Sequence, residues 1–278
     1  MVAEAVGGYL TNSLALLADA GHMLSDVGSL ALALIAMRFA IKPRTPQMTY
    51  GYYRAEILAA LVNGVTLVVI SIFIFYEAFT RFQSPPEIKS VPMLAIAILG
   101  LALNLYGALI LSRKKGDSLN VHGAYLHVLA DTLGSVGAIA AGVIMLTTGW
   151  FLADPIMSAL IGMLVLFSSW RLLKESVTIL MEGTPAHINL KAIEAEMRAV
   201  PGVVDIHDLH VWTVTSGFDA ISAHVVVENC GGMAEAQNIL SLIRSKVKEK
   251  FRIEHSTIQI EDSGGRVKVE VMLPPGRG

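Results

Sequence analysis

Two pairs of ionisable residues interrupt apolar stretches of the sequence. His22 is followed four residues later by Asp26, and His127 is followed four residues later by Asp131. This spacing places both side chains of a pair on one face of a helix, about one turn apart. Two imidazoles and two carboxylates would form a four-ligand set that suits Zn²⁺, and the two negative charges would neutralise the ion. The pattern therefore predicts a divalent-metal site.

A single pair of this kind does not require a metal, because a His and an Asp on one helix face can simply hydrogen-bond. Inside a membrane span each ionisable group costs at least ~2.5 kcal/mol, which disfavours two unrelated structural pairs. Asp19, nearly one turn before His22, has two interpretations. It joins the ion cavity or attracts cations from outside, or it makes a hydrogen bond near the outer end of its helix.

The elements that carry both pairs are predicted to be membrane helices. The 278 residues are 54% hydrophobic and only 16% charged, and their mean hydropathy of +0.59 lies outside the usual soluble range. Three runs without charged residues or His reach the ~20 residues that a span needs: 57–76, 91–112 and 132–153. Residues 14–37 and 155–170 are predicted as two further spans, and 1–10 as the second half of a truncated one. Together they predict an α-helical transmembrane bundle of six spans, the first truncated.

The distribution of positive charge predicts the orientation of this bundle. Lys and Arg concentrate in the loops after the second and fourth spans, at Arg38, Lys42, Arg44, Arg54, Arg113, Lys114 and Lys115. Such loops stay in the cytoplasm, so both chain termini are expected there as well. The net charge of −2, without a basic stripe, gives no reason to expect nucleic acid as a partner.

A small soluble domain is predicted after the last span. Glu182-Gly183-Thr184-Pro185 is a turn-forming break, and charged residues become frequent beyond it. The following pattern is helix, strand, strand, helix, strand, at 189–200, 204–215, 220–228, 233–251 and 254–261. This αββαβ order suits a small α+β sandwich. The predicted domains are 1–182 in the membrane, 183–262 in the cytoplasm, and a disordered tail at 263–278.

The soluble domain contains a second cluster of possible ligands. His207 and His210 lie on its first predicted strand, His224 on the second, and Glu261 and Asp262 at the end of the third. Neighbouring strands would bring several of these side chains together. The residues alone leave two interpretations open: a metal site, or His side chains that simply occupy one face of the sheet.

Three segments of the chain resemble the cation diffusion facilitator family, in particular its zinc-transporting branch. They are LLADAGHMLSD at 16–26, HVLADTLGSVG at 127–137 and HDLHVW at 207–212. The resemblance extends over nearly the whole chain, including the six spans and the αββαβ domain. It implies a homodimeric metal/proton antiporter of the bacterial zinc/proton type. Such a protein is a transporter and not an enzyme. It is embedded in the lipid of the cell inner (plasma) membrane and exports divalent metal ions, chiefly zinc, by alternating access.

The resemblance also implies roles for particular residues. The transport ligands would be His22, Asp26, His127 and Asp131. The cytoplasmic domain would bind metal and dimerise. Its ligands for Zn²⁺ would be His207, His224 and Glu261, and His210 would have a supporting or structural position. Gln259 stands where some bacterial relatives have a His, which disfavours a two-metal cluster. Arg54 and Glu182 match a charge pair at the dimer hinge, although an exposed pair is worth at most ~1 kcal/mol.

Two other functional classes have less support in the sequence. A metalloenzyme in a helix bundle would be expected to carry a His-Glu-x-x-His or Glu-x-x-His pattern. Neither pattern occurs in the chain. A sensor or receptor built on the soluble domain would bind metal without net flux, so a flux measurement separates it from a transporter.

Overall fold

The computed structural model describes residues 1–43, 45–112, 119–228 and 232–263. Arg44, the basic residues at 113–115, the tail beyond Ser263 and the side chain of His127 lie outside the described residues. The chain divides into two compact units. The first contains Met1–Thr45 and Leu58–Ser176, and the second contains Pro46–Ile57 and the described residues from Val177 onward.

The first unit is a bundle of helices. In chain order they are α1 (Val2–Thr11), α2 (Leu14–Ala40), α3 (Ala55–Gln83), α4 (Ser90–Ser112), α5 (Leu119–Thr148) and α6 (Ala153–Leu180), of which α3 begins and α6 ends in the second unit. Among the described residues, five helices contain a stretch that is long and apolar enough to cross a membrane, and α1 with ten residues is not one of them. The predicted helical bundle is confirmed.

Small side chains let α2 pack closely against its neighbours near its first turn. Ala15 and Leu16 are buried in one cluster with α4 and α5, and Ala18 is buried in a second cluster with α3 and α6. The outward faces remain apolar, as with Leu103, Phe167 and Trp170, which are more than 60% exposed. Exposed apolar surface on this scale is typical of a lipid-facing bundle.

The second unit contains the predicted α+β domain. Its elements are α7 (Leu190–Arg198), β1 (Val203–Thr215), β2 (Phe218–Val227), α8 (Met233–Phe251) and β3 (His255–Asp262). The sheet has the order β1-β2-β3, with β1 and β2 antiparallel and β2 and β3 parallel. A parallel pair needs a crossover connection, and α8 provides it. The predicted αββαβ order is confirmed.

The core of this domain lies between the sheet and the two helices. Alternate residues of β2, such as Ile221, Ala223 and Val225, are buried against Ile193 of α7 and Ile243 of α8. Because successive side chains of a strand point to opposite faces, the residues between them, including His224, lie on the other face of the sheet. The helices therefore leave the His-bearing face of β2 available for ligands.

Pro46–Ile57, which precedes most of α3 in the chain, groups with the soluble domain. The Tyr50 ring meets His255 edge-on with centroids 5.8 Å apart. The Glu56 carboxylate accepts hydrogen bonds from the hydroxyls of Thr215 and Ser216 at 2.5 and 2.8 Å, at the turn between β1 and β2. These contacts explain why a segment that sequence analysis assigned to the membrane region associates with the sheet.

Candidate metal sites

Three of the predicted transport ligands meet inside the helical bundle. His22 and Asp26 lie on α2, and Asp131 lies on α5. The His22 Nε2 atom is 3.6 Å from Asp131 Oδ1 and 3.9 Å from Asp26 Oδ2. One potential ligand atom from each residue lies within 4.8 Å of the other two. The three side chains are thus held together although more than 100 residues separate the two segments.

The spacing of these atoms fits a bound divalent ion. Ligands about 2.0–2.2 Å from Zn²⁺ in a tetrahedron lie roughly 3.3–3.6 Å from each other. The two separations from His22 are at or slightly above that range, and the three atoms lie within 4.8 Å of one another, so the set would draw together to bind an ion. His127 belongs to α5, one turn before Asp131, and its side chain lies outside the described residues.

Close approach of α2 and α5 beside this site depends on Gly134. A Cβ atom built on Gly134 would lie 2.8 Å from Oδ1 of Asp19, a distance that real Cβ contacts essentially never show. The Asp19 carboxyl is itself 3% exposed. Asp19 therefore faces α5 in the bundle interior, within one helical turn of His22.

Polar contacts also support α2 on the side of α3. The Ser25 hydroxyl, next to Asp26 in sequence, donates a 2.8 Å hydrogen bond to Oδ1 of Asn63, and both side chains are buried. A buried polar group without a partner is costly, so this pair favours one rotational setting of α2. Asn63 is a residue that the sequence patterns did not identify.

The soluble domain brings its three predicted ligands together at the surface. His207 and His224 are directly paired across β1 and β2, and Glu261 on β3 reaches both. Glu261 Oε2 is 3.1 Å from His207 Nε2, and Glu261 Oε1 is 2.7 Å from His224 Nδ1. The Gln259 amide donates to the same carboxylate at 3.0 Å. Gln259 thus holds Glu261 in place and occupies a position beside the cluster.

The charge state of this cluster favours metal binding. Desolvation acts to raise the pKa of Glu261, but hydrogen bonds from His224 and His207 outweigh it and hold that pKa below its ordinary value. Glu261 is therefore ionised at neutral pH. An ionised carboxylate beside two imidazoles is a ligand set that suits Zn²⁺.

Asp208 is a further carboxylate at this site that the sequence interpretation did not include. It lies at an irregularity between His207 and His210 in the β1–β2 pairing and has a positive φ of 51°. Its Oδ1 is 2.9 Å from His210 Nε2, and its Oδ2 is 3.8 Å from His224 Nε2. The hydrogen bond from His210 lowers the pKa of Asp208. His210 thus contacts Asp208, which directly follows His207 of the predicted cluster in the sequence.

The predicted hinge residues also meet. Arg54 Nη2 lies 2.8 Å from Glu182 Oε1. Both side chains are well exposed, at 38% and 61%, so the pair contributes at most ~1 kcal/mol to stability.

Comparison with known proteins identifies the family. Residues 1–181 match the cation efflux transmembrane domain, and residues 185–263 match the cytoplasmic domain of cation efflux proteins. The chain belongs to the cation efflux family. This confirms the family expected from the three sequence motifs. Members of this family are transporters, so the chain is a membrane transporter and not an enzyme.

Relatives of known activity class cover most of the chain. It is 48% identical over 264 residues to the cadmium, cobalt and zinc/H(+)-K(+) antiporter of Bacillus subtilis, with 94% of this chain and 84% of that protein covered. It is 45% identical over 261 residues to the metal cation efflux system protein CzcD of Cupriavidus metallidurans, covering 94% and 82%. It is 44% identical over 263 residues to the zinc transporter ZitB of Escherichia coli, covering 94% and 83%.

The close approach of α5 to Asp19 leads to a prediction about Gly134. Ala at this position should lower the stability of the bundle relative to Ala at a helix glycine with free space, since overpacking against the Asp19 carboxyl costs ~1–3 kcal/mol. Gly28 on α2 is the matched control because a Cβ there meets nothing within 4 Å. Gly28→Ala should raise the melting temperature, because Ala is favoured over Gly inside a helix by ~1 kcal/mol. Thermal unfolding of both variants in detergent checks this, and an equal rise for Gly134→Ala would contradict the packing argument.

Proposed function

We propose that this transporter exports divalent metal ions, chiefly Zn²⁺, from the cytoplasm by alternating access, in exchange for protons. The observation that carries the proposal is the meeting of His22, Asp26 and Asp131 inside an apolar helical bundle. Ionisable side chains at such positions are costly and mark ion pathways. The names of the Bacillus subtilis and Escherichia coli relatives support the metal class, and the name of the Bacillus subtilis antiporter supports the coupling to protons.

The chemistry of the ligands supports proton exchange. Metal binds the neutral imidazole of His22 and the ionised carboxylates of Asp26 and Asp131, whereas protons compete for the same atoms. A more acidic exterior then favours release of the ion, and a more alkaline cytoplasm favours loading. His127, one turn before Asp131 on α5, completes the proposed four-ligand set.

The proposed setting is the cell inner membrane, with both termini in the cytoplasm. The basic residues of the loops after α2 and α4 support this orientation. We further propose that the chain acts as a homodimer, which the match to the cytoplasmic domain of cation efflux proteins supports. The charge pair of Arg54 and Glu182 is proposed to lie at the hinge of that dimer.

The soluble site is proposed to regulate transport. Two imidazoles and one ionised carboxylate, from His207, His224 and Glu261, would hold Zn²⁺ there. Bound Zn²⁺ would link strands β1, β2 and β3 through their side chains. We propose that occupancy draws the two soluble domains of the dimer together and biases the bundle toward transport, because a ligand shifts a conformational equilibrium toward the state that binds it better.

Removal of Asp26 tests transport directly. Asp26→Ala deletes one of two carboxylates that neutralise the ion, so zinc flux driven by a pH gradient in vesicles should fall at least ~10-fold. Ser29→Ala is the matched control, because the Ser29 hydroxyl contacts only the backbone oxygen of Asp26 at 2.8 Å among its described hydrogen bonds. Flux through Asp26→Ala equal to that of Ser29→Ala would refute the proposed transport site.

Removal of His224 tests regulation. His224→Ala should remove the activation by zinc at the soluble site, so flux should rise with zinc on that side only through saturation of the site in the bundle. His187→Ala is the matched control, since His187 is a surface His of the same domain that pairs with Asp219 at 2.9 Å. The measurement is initial flux against zinc concentration on that side. An identical zinc response in all three proteins would eliminate the regulatory role.

A further inference from the structure

Asp154, in the first turn of α6, is a fully buried acid that lies apart from both metal sites. Its side chain is 0% exposed. Burying an ionised carboxylate is very costly unless hydrogen bonds and opposite charge surround it. The surroundings of Asp154 therefore indicate what the residue does.

The described hydrogen bonds of the Asp154 carboxylate come from the start of another helix. Its Oδ1 accepts from the Ser13 hydroxyl at 2.6 Å and from the Ala15 N–H at 3.2 Å, and its Oδ2 accepts from the Leu14 N–H at 2.8 Å. Leu14 is the first residue of α2. The Asp154 carboxylate of α6 thus caps α2, because it accepts hydrogen bonds from N–H groups that have no partner within that helix.

Ser13 connects this contact to the ordinary cap of α2. Its Oγ accepts from the Leu16 N–H at 3.3 Å while donating to Asp154. The first N–H groups of a helix have no partner within the helix, and a negative charge near them is stabilised by the helix dipole. Ser13 and Asp154 together therefore satisfy the N–H groups of Leu14, Ala15 and Leu16.

A cation from α3 supports the same end of α2. Arg81 Nη1 lies 3.9 Å from Asp154 Oδ2 and donates to the backbone oxygen of Asn12 at 2.6 Å. Its Nε donates to Glu77 at 2.8 Å. Asn12 has a positive φ of 61° in the tight turn between α1 and α2. The turn that leads into α2 is consequently held from α3 and from α6.

This anchoring bears on the ion site because α2 is a continuous helix. His22 lies eight residues beyond Leu14, which corresponds to ~12 Å along the axis, and Asp26 lies one turn further. A slip of one residue at the cap would turn both side chains by ~100° about the axis. The ligands of α2 can face Asp131 only if the start of the helix keeps its position.

We propose that Asp154 is a positioning residue for transport. It caps α2 from α6 and so sets the rotation of α2 and its position along the helix axis, which determine how His22 and Asp26 face Asp131. This inference rests on the proposed function, since it concerns the geometry of the transport site. It assigns Asp154 no contact with the ion.

The test is Asp154→Asn in the full chain, with zinc flux measured in vesicles. Asn has nearly the same shape but no charge, and its amide N–H₂ would face N–H donors. We expect the KM for zinc to rise about tenfold, in line with the loss of charged hydrogen bonds. A merely structural defect would reduce the amount of folded protein, and with it Vmax, while leaving KM unchanged.

Two further variants complete the test. Ser158→Ala is the matched control, because Ser158 is equally buried in the next turn of α6 and its hydroxyl donates to the backbone oxygen of Asp154 at 2.7 Å, away from the cap. Its KM should stay at the wild-type value. Ser13→Ala leaves the carboxylate in place and should raise KM less than Asp154→Asn. Because both residues act through one contact, the double variant should show less than the product of the single effects.

The outcomes separate this inference from the proposed function. A wild-type chain without zinc flux would overturn the proposed function itself. Wild-type flux together with an unchanged KM in Asp154→Asn and in Ser13→Ala would overturn only the positioning role. A double-variant effect equal to the product of the single effects would also overturn it. If Asp154→Asn does not fold, the KM of Ser13→Ala decides the question.

Discussion

The burial of charge in an apolar bundle is the constraint on which the rest of this structure depends. Each ionisable group in a spanning helix must find a partner in the interior, because lipid provides none. His22, Asp26 and Asp131 meet this requirement by facing one another between α2 and α5. Asp154 meets it by accepting hydrogen bonds from the start of α2. Because burying these charged groups without partners would be costly, their contacts with α5 and α6 constrain the position of α2.

The site requires both close helix packing and a defined rotation of α2. Gly134 lets α5 approach the Asp19 carboxyl, and the Ser25–Asn63 hydrogen bond links α2 to α3. Near its first turn α2 is also held by buried Ala15, Leu16 and Ala18. The proposed ion ligands His22 and Asp26 therefore lie on a helix that neighbouring helices contact on several sides, as a site needs if its ligands are to keep their geometry.

Much of the fold could be predicted because apolar runs and turn residues are local signals. The observed soluble elements begin and end within two residues of the predicted ones, and His22, Asp26 and Asp131 follow from helical spacing within spans. His207, His224 and Glu261 were expected to meet because they lie on neighbouring strands, and the pairing of β1 with β2 brings the two His residues opposite each other.

The remaining features depend on contacts that are distant in sequence. Asp154 looks like any acid in the first turn of a helix, and its partners lie about 140 residues earlier. The association of Pro46–Ile57 with the soluble domain depends on Glu56 and hydroxyls 159 and 160 residues away. Asp208 reaches the His cluster only because the β1–β2 pairing is irregular there, which no periodic pattern predicts.

In the proposed mechanism, α2 and α5 together form a four-ligand site for the transported ion. X-ray absorption spectroscopy of zinc bound to the full chain carrying His224→Ala, which disables the soluble site, tests it most directly. A site with two His and two Asp ligands would show four nitrogen and oxygen ligands at about 2.0–2.2 Å, with the scattering of two imidazole rings. Six oxygen ligands, or a zinc shell without imidazole, would contradict it.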